Sequence, residues 1–425
     1  MVFGTPVTDV STAISRLPRR ARVVAGPGCG GPISLLRELG RQALEGDTEP
    51  HLRSGLQLVY PFGEAVTAGA MRYDTWHVMG PVRKWVEAGR ADYLPIRASQ
   101  VPSVLQAWDP DALLVRVTPP DRHGYCSLGP SSSYPLPVAR WARTVIGEID
   151  ESLPRTLGQS TLHVSSFAAL VESTDPTPSY AGAELDEVST AIARSVREIL
   201  PPKPTLQLGI GAVPEALVAS LADAARGELR FAGMGCDAMV ALFENGVISP
   251  HALLPTPGVR AAELMGSPLL MEYADLHPGI GVYPSGLSHH PVPLGELDRF
   301  VSINSALEVD LWGQVNAEAI GGRQLSGVGG SSDFFEAAYN SDGGRRVIAL
   351  PATTPTGTSR IVPRLDAGSV ATVPRQMADL VVTEHGVADL RGRTLTERAE
   401  ALVGIAAPEA RDQLSNELAR TTGSR

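Results

Sequence analysis

Short apolar stretches alternate with helical patterns along the whole chain, and this alternation limits the fold more than any other feature. "ARVVAG" is followed by "GPISLLRELGRQAL", "TLQLGIG" by "PEALVASLADAA" and "DLVVTEHG" by "LTERAEALVGIAA", with "RRVIALPA" a further strand. Brief Val/Leu/Ile runs bounded by Gly or Pro fit strands buried on both faces, and apolar residues at helical spacing fit the helices that cover them. The expectation is an α/β protein of open, mostly parallel sheets with helices on both faces. At 425 residues there is room for two domains of ordinary size. The Pro- and Ser-rich stretch 173–205, with one helical pattern inside it, marks their boundary, giving expected domains 1–185 and 186–425. "VVAGPGCGGPISLL" at 23–36 and "LQLGIGAVPEALV" at 206–218 each run strand, Gly turn and Pro at a helix start, an internal echo that points to duplication.

Composition excludes several classes. The chain is 43% hydrophobic and 19% charged, and no apolar run reaches the roughly 18 residues of a membrane span, so a soluble protein is expected. A formal net charge of −10 with no Lys/Arg block argues against nucleic acid as a partner. Cys29, Cys126 and Cys236 are too few for a disulfide framework and lack metal-ligand spacing, so no metal is expected and a reduced cytoplasm fits. The N-terminal stretch has no basic segment followed by an apolar core and a cleavage site. Lys84 and Lys203 are the only lysines, which argues against Schiff-base chemistry.

Several loops have the composition of ligand sites. Gly209-Ile210-Gly211 follows a strand and opens a helix, so its amides are placed for an anion, although a plain strand–helix turn has the same sequence. "SGVGGSSDF" gathers Gly327, Val328, Gly329 and Gly330 in a loop that lets backbone approach a phosphate or thioester. Asn316 in "GQVNAE" is either an oxyanion donor or a turn residue capping its own backbone. Gly357 in "ATTPTGTSRIVP" offers an unhindered N–H. His289-His290 lie on a Pro-rich loop as a solvated pair or as a general base, and His385 in "VVTEHG" follows a buried strand at the carboxyl end, where such sheets bind ligands.

"SINSALEVDLWGQVNAEAIGG", "LSGVGGSSDFFEAAYNSDGGRRVIALPAT", "SRIVPRLDAGSVATVPRQMADLVVTEHGVADLRGRTLTERAEALVGIA", "PPDRHGYCSLGPSSSY" and "TLQLGIGAVPEAL" resemble the acetyl-CoA hydrolase/transferase family over nearly the whole chain. The resemblance implies two duplicated open α/β/α domains with the active site in the cleft between them, a homodimer, and coenzyme A or acyl-CoA as a substrate. In that family a glutamate attacks the acyl-CoA and passes CoA to a second carboxylic acid through anhydride and thioester intermediates. The family's oxyanion donors carry over to Asn316 and Gly357. Its CoA-contacting loop carries over to Gly327–Gly330, and Gly209, Gly211, Arg345 and Ser359 are further expected cofactor contacts.

The departure lies in "GELRFAGMGCDAMVALFENGVI". Where the family has His-Ser/Thr-Glu-Met, this chain has Phe231, Ala232, Gly233 and Met234, so Gly233 stands at the catalytic glutamate. The family's Asp-Tyr-x-Asn-Asp/Asn-Pro is replaced by a segment ending in His289, His290 and Pro291, and the Tyr of Thr-Glu-Tyr-Gly by His385. Asp237 and Glu244 match acidic positions of ordinary members, so neither is a new nucleophile by default. Cys236 is the substitute candidate, near a helix start that would favour a thiolate, or else a small space-filling residue. The sequence therefore leaves three readings: direct acyl transfer from a thioester to an unidentified acceptor with a His as base, CoA transfer or hydrolysis through a substitute nucleophile, and an inactive CoA-binding subunit.

Overall fold

Seven parallel strands form the sheet of the first unit, in the order Ala169–Glu172, Thr144–Ile149, Ala112–Val117, Arg22–Ala25, His51–Ser54, Arg72–Thr75 and Asp92–Tyr93. The computed structural model describes residues 4–249 and 258–422. They group into two units, one of Met1–Ala181, Gly233–Val240 and Pro250–His289, the other of Gly182–Ala232, Ala241–Ser249 and His290–Arg425. The first break falls in the Pro- and Ser-rich link. Residues from 258 to 289 return to the first unit because the strands Val259–Leu264, Ile280–Val282 and Leu157–Gly158 pair in parallel.

Alternation along each strand of the first sheet builds two cores. Val23, Ala25, Ala112 and Leu114 face a cluster with Leu35, Leu36 and Leu39 of the helix Ile33–Leu44 and with Phe62, Tyr73 and Trp85. Val24, Leu113, Val115 and Val117 face the other, with Trp76, Leu105 and Tyr134. A sheet covered on both faces requires apolar residues at consecutive strand positions, which is why these strands read as continuous apolar runs. The Arg22–Ala25 strand lies between His51–Ser54 and Ala112–Val117. Strand order reverses there, and the loop at its carboxyl end, Gly26–Gly31, occupies a switch point of the kind where open α/β sheets bind ligands.

One charged group interrupts the apolar pattern. Arg116 is 1% exposed and Glu148, on the adjacent strand, 0%. Arg116 Nη2 donates to Glu148 Oε1 at 2.6 Å, and its Nη1 to Asp150 Oδ2 at 2.8 Å. The same glutamate accepts from Ser34 Oγ at 3.0 Å and Leu35 N–H at 3.1 Å, in the first turn of the helix that follows the Gly26–Gly31 loop. The pair therefore fixes the start of that helix against two strands.

In the second unit Thr205–Leu208 pairs in parallel with Phe300–Asn304 on one side and with Arg230–Ala232 on the other. Arg345–Ala349 and Leu380–Thr383 extend the sheet in parallel, and Gly386–Asp389 closes that edge in antiparallel. The Gly209–Gly211 turn follows the Thr205–Leu208 strand, so the two echoing sequences occupy corresponding switch points of their sheets. Among the described residues no helix is long and apolar enough to cross a membrane, and no cluster of three or more His, Cys, Asp or Glu is arranged to hold a metal.

Replacing Arg116 by Leu leaves the Glu148 carboxylate buried without its cation. The expected cost is about 3–5 kcal/mol in chemical denaturation, and the double replacement Arg116→Leu with Glu148→Gln should recover much of it.

Candidate active site

The strand Arg230–Gly235 ends in the first unit as Gly233–Met234–Gly235, and its neighbour is Val259–Leu264. Met265 N–H donates to the Gly235 carbonyl at 2.9 Å, which aligns the two segments. Gly233 is buried, with φ +96°. An L residue rarely adopts that backbone conformation, so the chain path favours glycine there. Cys236 is half-buried and starts the turn into the helix Ala238–Glu244. Asp237 is committed to structure, its carboxylate accepting the Ser267 N–H at 2.9 and 3.2 Å.

The neighbouring strand carries a carboxylate at a position the motifs passed over. Glu263 lies on the Val259–Leu264 strand, where Leu264 N–H donates to Pro130 O at 2.8 Å and Ser132 N–H to Ala262 O at 3.2 Å. This antiparallel bridge sets Ser131 opposite Glu263. Ser133 Oγ donates to Glu263 Oε1, and the Ser131 hydroxyl lies beside the other oxygen, which is shielded from solvent; Gln57 Oε1 is buried without a hydrogen-bond partner. All three atoms lie against the Gly26–Gly31 loop. A Cβ on Gly28 would sit 3.5 Å from Glu263 Oε2 and 3.7 Å from Ser131 Oγ, one on Gly30 3.0 Å from Ser131 Oγ, and one on Gly31 3.0 Å from Gln57 Oε1. Gly28 also has φ +58° and would bring a Cβ within 2.9 Å of Met265 Sδ, so only glycine lets the loop approach so closely. Burial pushes the Glu263 carboxyl up to about 7, with the serine hydroxyls pulling in the other direction. Cys29, in the same loop, has its thiol raised to about 11 by burial and donates to the Gly266 carbonyl at 3.6 Å.

The adjacent histidines separate. His289 is 8% exposed, hydrogen-bonded to Ser288 Oγ at 3.2 Å, and lowered to about 4 by burial and then by nearby His77. His77 is likewise lowered to about 4 by burial, and its Nδ1 has no hydrogen-bond partner. Both imidazoles are therefore neutral throughout the physiological range. His290 is exposed and caps the helix Pro291–Gly295 by accepting the Val292 N–H at 3.3 Å. The solvated-pair expectation thus fits His290 and not His289.

The remaining residues belong to the second unit. Asn316 is fully buried; its Nδ2 donates to Glu308 Oε1 at 2.8 Å and to the Ala319 carbonyl at 2.5 Å, while its Oδ1 accepts the Glu318 and Ala319 N–H groups. It caps its own turn. Gly357, at φ +83°, donates its N–H to the Thr354 carbonyl at 2.9 Å in an otherwise open turn. His385 sits with Glu384 in the two-residue hairpin turn between Leu380–Thr383 and Gly386–Asp389, its Nε2 3.8 Å from Glu384 Oε1. Gly327, Val328, Gly329 and Gly330 are half-exposed at the start of the helix Ser331–Asn340, as are Gly209 and Gly211 at the start of Ala212–Ser220. Nothing crowds the space beside Gly209 and Gly211. Arg345 donates to the Ile199 carbonyl at the end of the helix Glu187–Glu198, and Ser359 Oγ to the Ile361 carbonyl at 2.7 Å, so both side chains are held by backbone.

Two parallel α/β units, each with a glycine turn at its switch point, define a protein built on the CoA-transferase fold. RipA from Yersinia pestis has this architecture, at TM-score 0.91 and 29% identity over 98% of this chain and 97% of that one. Models of the acetyl-CoA hydrolase/transferase N-terminal and C-terminal domains match residues 11–183 and 266–418. The 4-hydroxybutyrate coenzyme A transferase of Clostridium kluyveri is 36% identical over 98% of both chains. The butyryl-CoA:acetate CoA-transferase of Anaerostipes caccae is 34% identical over 80% of this chain and 79% of its own. The chain belongs to the acetyl-CoA hydrolase/transferase family, which uses CoA thioesters as substrates.

The position of Glu263 makes a pH-dependent stability prediction. The folded state holds the proton to about pH 7, whereas the unfolded chain releases it near 4.5. Wild type therefore suffers no penalty at low pH and loses stability relative to Glu263→Gln as pH rises from 4.5 through 7, levelling above that at roughly 3 kcal/mol. The other ionisable groups that sense its charge, Cys29 and Tyr134, are both raised by burial and stay neutral over that window. Thermal melts of the two proteins across this range check it; a stability difference independent of pH would contradict it.

Proposed function

We propose that this protein transfers the acyl group of an acyl-CoA, or another acyl thioester, directly to an acceptor, without a covalent glutamyl intermediate. The observation that carries this reading is Gly233, which the family resemblance sets at the nucleophile. It is buried on the strand Arg230–Gly235 at φ +96°, a backbone conformation that disfavours any side chain. A direct transfer still requires the thioester carbonyl to be polarised, and an oxyanion donor contributes about 3 kcal/mol to such a step. Asn316 and Gly357 are the proposed donors. Gly357 is the more readily recruited, because its N–H is held by a single turn bond, whereas both Asn316 amide hydrogens are committed. Coenzyme A is assigned to the glycine turns at Gly209–Gly211 and Gly327–Gly330. A cytoplasmic homodimer completes the reading.

His289 is a weak base in this environment, since burial holds its basicity far below that of a free imidazole. The base in a direct transfer is better sought elsewhere.

Incubation with acetyl-CoA followed by hydroxylamine or borohydride and peptide mass spectrometry should reveal no modified Asp, Glu or Cys. A derivatised acidic residue overturns the proposal, and a Cys236 adduct replaces it with a thiol nucleophile. Gly233→Glu should not by itself create CoA transfer to carboxylic acids, and should cost about 1–2 kcal/mol of stability from the left-handed backbone; ordinary transferase activity in that variant would count against the reading.

A further inference from the structure

We infer that Glu263, with Ser131 and the Gly26–Gly31 loop, forms the acceptor site of the first unit, and that its ligand is a hydroxyl- or amine-bearing small molecule that Glu263 deprotonates. The inference rests on the direct-transfer reading above and names the acceptor class and base for it.

Four observations converge on this site. The loop lies at the switch point of a parallel sheet, and its glycines bring backbone into close contact with three polar side chains. Gln57 is 2% exposed, yet its Oε1 lacks a partner, and Ser131, also 2% exposed, has its hydroxyl beside Glu263. Buried polar groups are rarely left open, and each unpaired one costs about 1–3 kcal/mol. Glu263 is anchored on one oxygen by Ser133, with Ser131 the hydroxyl beside the other. Finally, Gly233 is buried on the strand beside the one that carries Glu263.

The chemistry of these atoms selects the ligand. Gln57 Nε2 donates to the Gly26 carbonyl at 2.9 Å, so its oxygen must face the other way as an acceptor. Glu263 Oε2 is an acceptor when ionised, and Ser131 can supply either role. Two acceptors against one loop favour a ligand that brings hydrogens, an O–H or N–H. A carboxylate would place its oxygens against those of Glu263 and Gln57. In the transfer, Glu263 Oε2 takes the proton of the acceptor X–H as X bonds to the thioester carbonyl carbon. Collapse of the tetrahedral adduct breaks the C–S bond, and the proton passes from Glu263 to the departing CoA sulfur. Acyl-CoA and X–H thus become acyl-X and CoA-SH, with the carboxylate regenerated.

The test measures CoA release from acetyl-CoA with ethanol, ethanolamine or propionate as acceptor, together with acetyl-CoA binding. Ethanol or ethanolamine should accelerate release more than about tenfold over propionate. Glu263→Gln should lower that rate by about 100-fold without changing the acetyl-CoA dissociation constant. Ser131→Ala should raise the acceptor KM more than it lowers kcat. Because Glu263→Gln is expected to be the more stable protein at pH 8, its melting temperature separates loss of chemistry from loss of fold. Propionate as the best acceptor, no release with any acceptor, or an undiminished rate in Glu263→Gln overturns the inference. The two proposals fail differently. An acyl adduct on a wild-type carboxylate, Glu263 included, overturns direct transfer itself. An adduct-free wild type whose rate survives Glu263→Gln overturns only the site assigned here.

Discussion

The Arg116–Glu148 pair is the interaction on which the first unit depends. It lies fully buried between adjacent strands and also binds the first turn of the helix Ile33–Leu44, so the Gly26–Gly31 loop that joins strand to helix has both its ends fixed. A loop of four glycines in six residues would otherwise carry a large conformational entropy. Anchored in this way, it can hold a left-handed backbone at Gly28 and keep close contact with Ser131, Gln57 and Glu263.

Glu148 and Glu263 show two uses of a carboxylate in one unit. Glu148 is surrounded by Arg116, Ser34, Ser173 and a helix N–H, which satisfy its oxygens and make it structural. Glu263 has no cation within its reach in the described structure, and serine hydroxyls are the groups that face its oxygens. A group that retains its proton to about pH 7 changes charge easily near neutrality, which is the property a general base requires. The strand beside the one that carries Gly233 thus holds a carboxylate suited to proton transfer.

Much of the fold was legible in the sequence. The apolar runs predicted parallel strands, and the echo between 23–36 and 206–218 marked the two switch-point turns, because buried strands and glycine turns are written in contiguous residues. The site was less legible. Glu263 is a single acid in "VRAAELMG", and its partners, Ser131–Ser133 and Gly26–Gly31, lie more than a hundred residues earlier. Only the antiparallel bridge between Ser131 and Glu263 brings them together; a lone charge within an apolar strand was the one available signal. The His289–His290 pair misled in the opposite sense. Adjacent in sequence, the two side chains reach different surroundings, one buried beside His77 and the other capping a helix. Asn316 kept the family's motif, but its capping role depends on Glu308 and Ala319, whose arrangement the motif does not state.

The central claim is that the reaction proceeds without a glutamyl–CoA intermediate, and isotope exchange tests it directly. An enzyme that forms such an intermediate releases acetate from acetyl-CoA before any second substrate binds, so labelled acetate enters the acetyl-CoA pool in a two-component mixture. Direct transfer offers no such half-reaction. Incubating the protein with acetyl-CoA and carbon-14 acetate, without another acceptor, should leave the acetyl-CoA unlabelled; appearance of label in acetyl-CoA at a rate proportional to enzyme concentration would contradict the account.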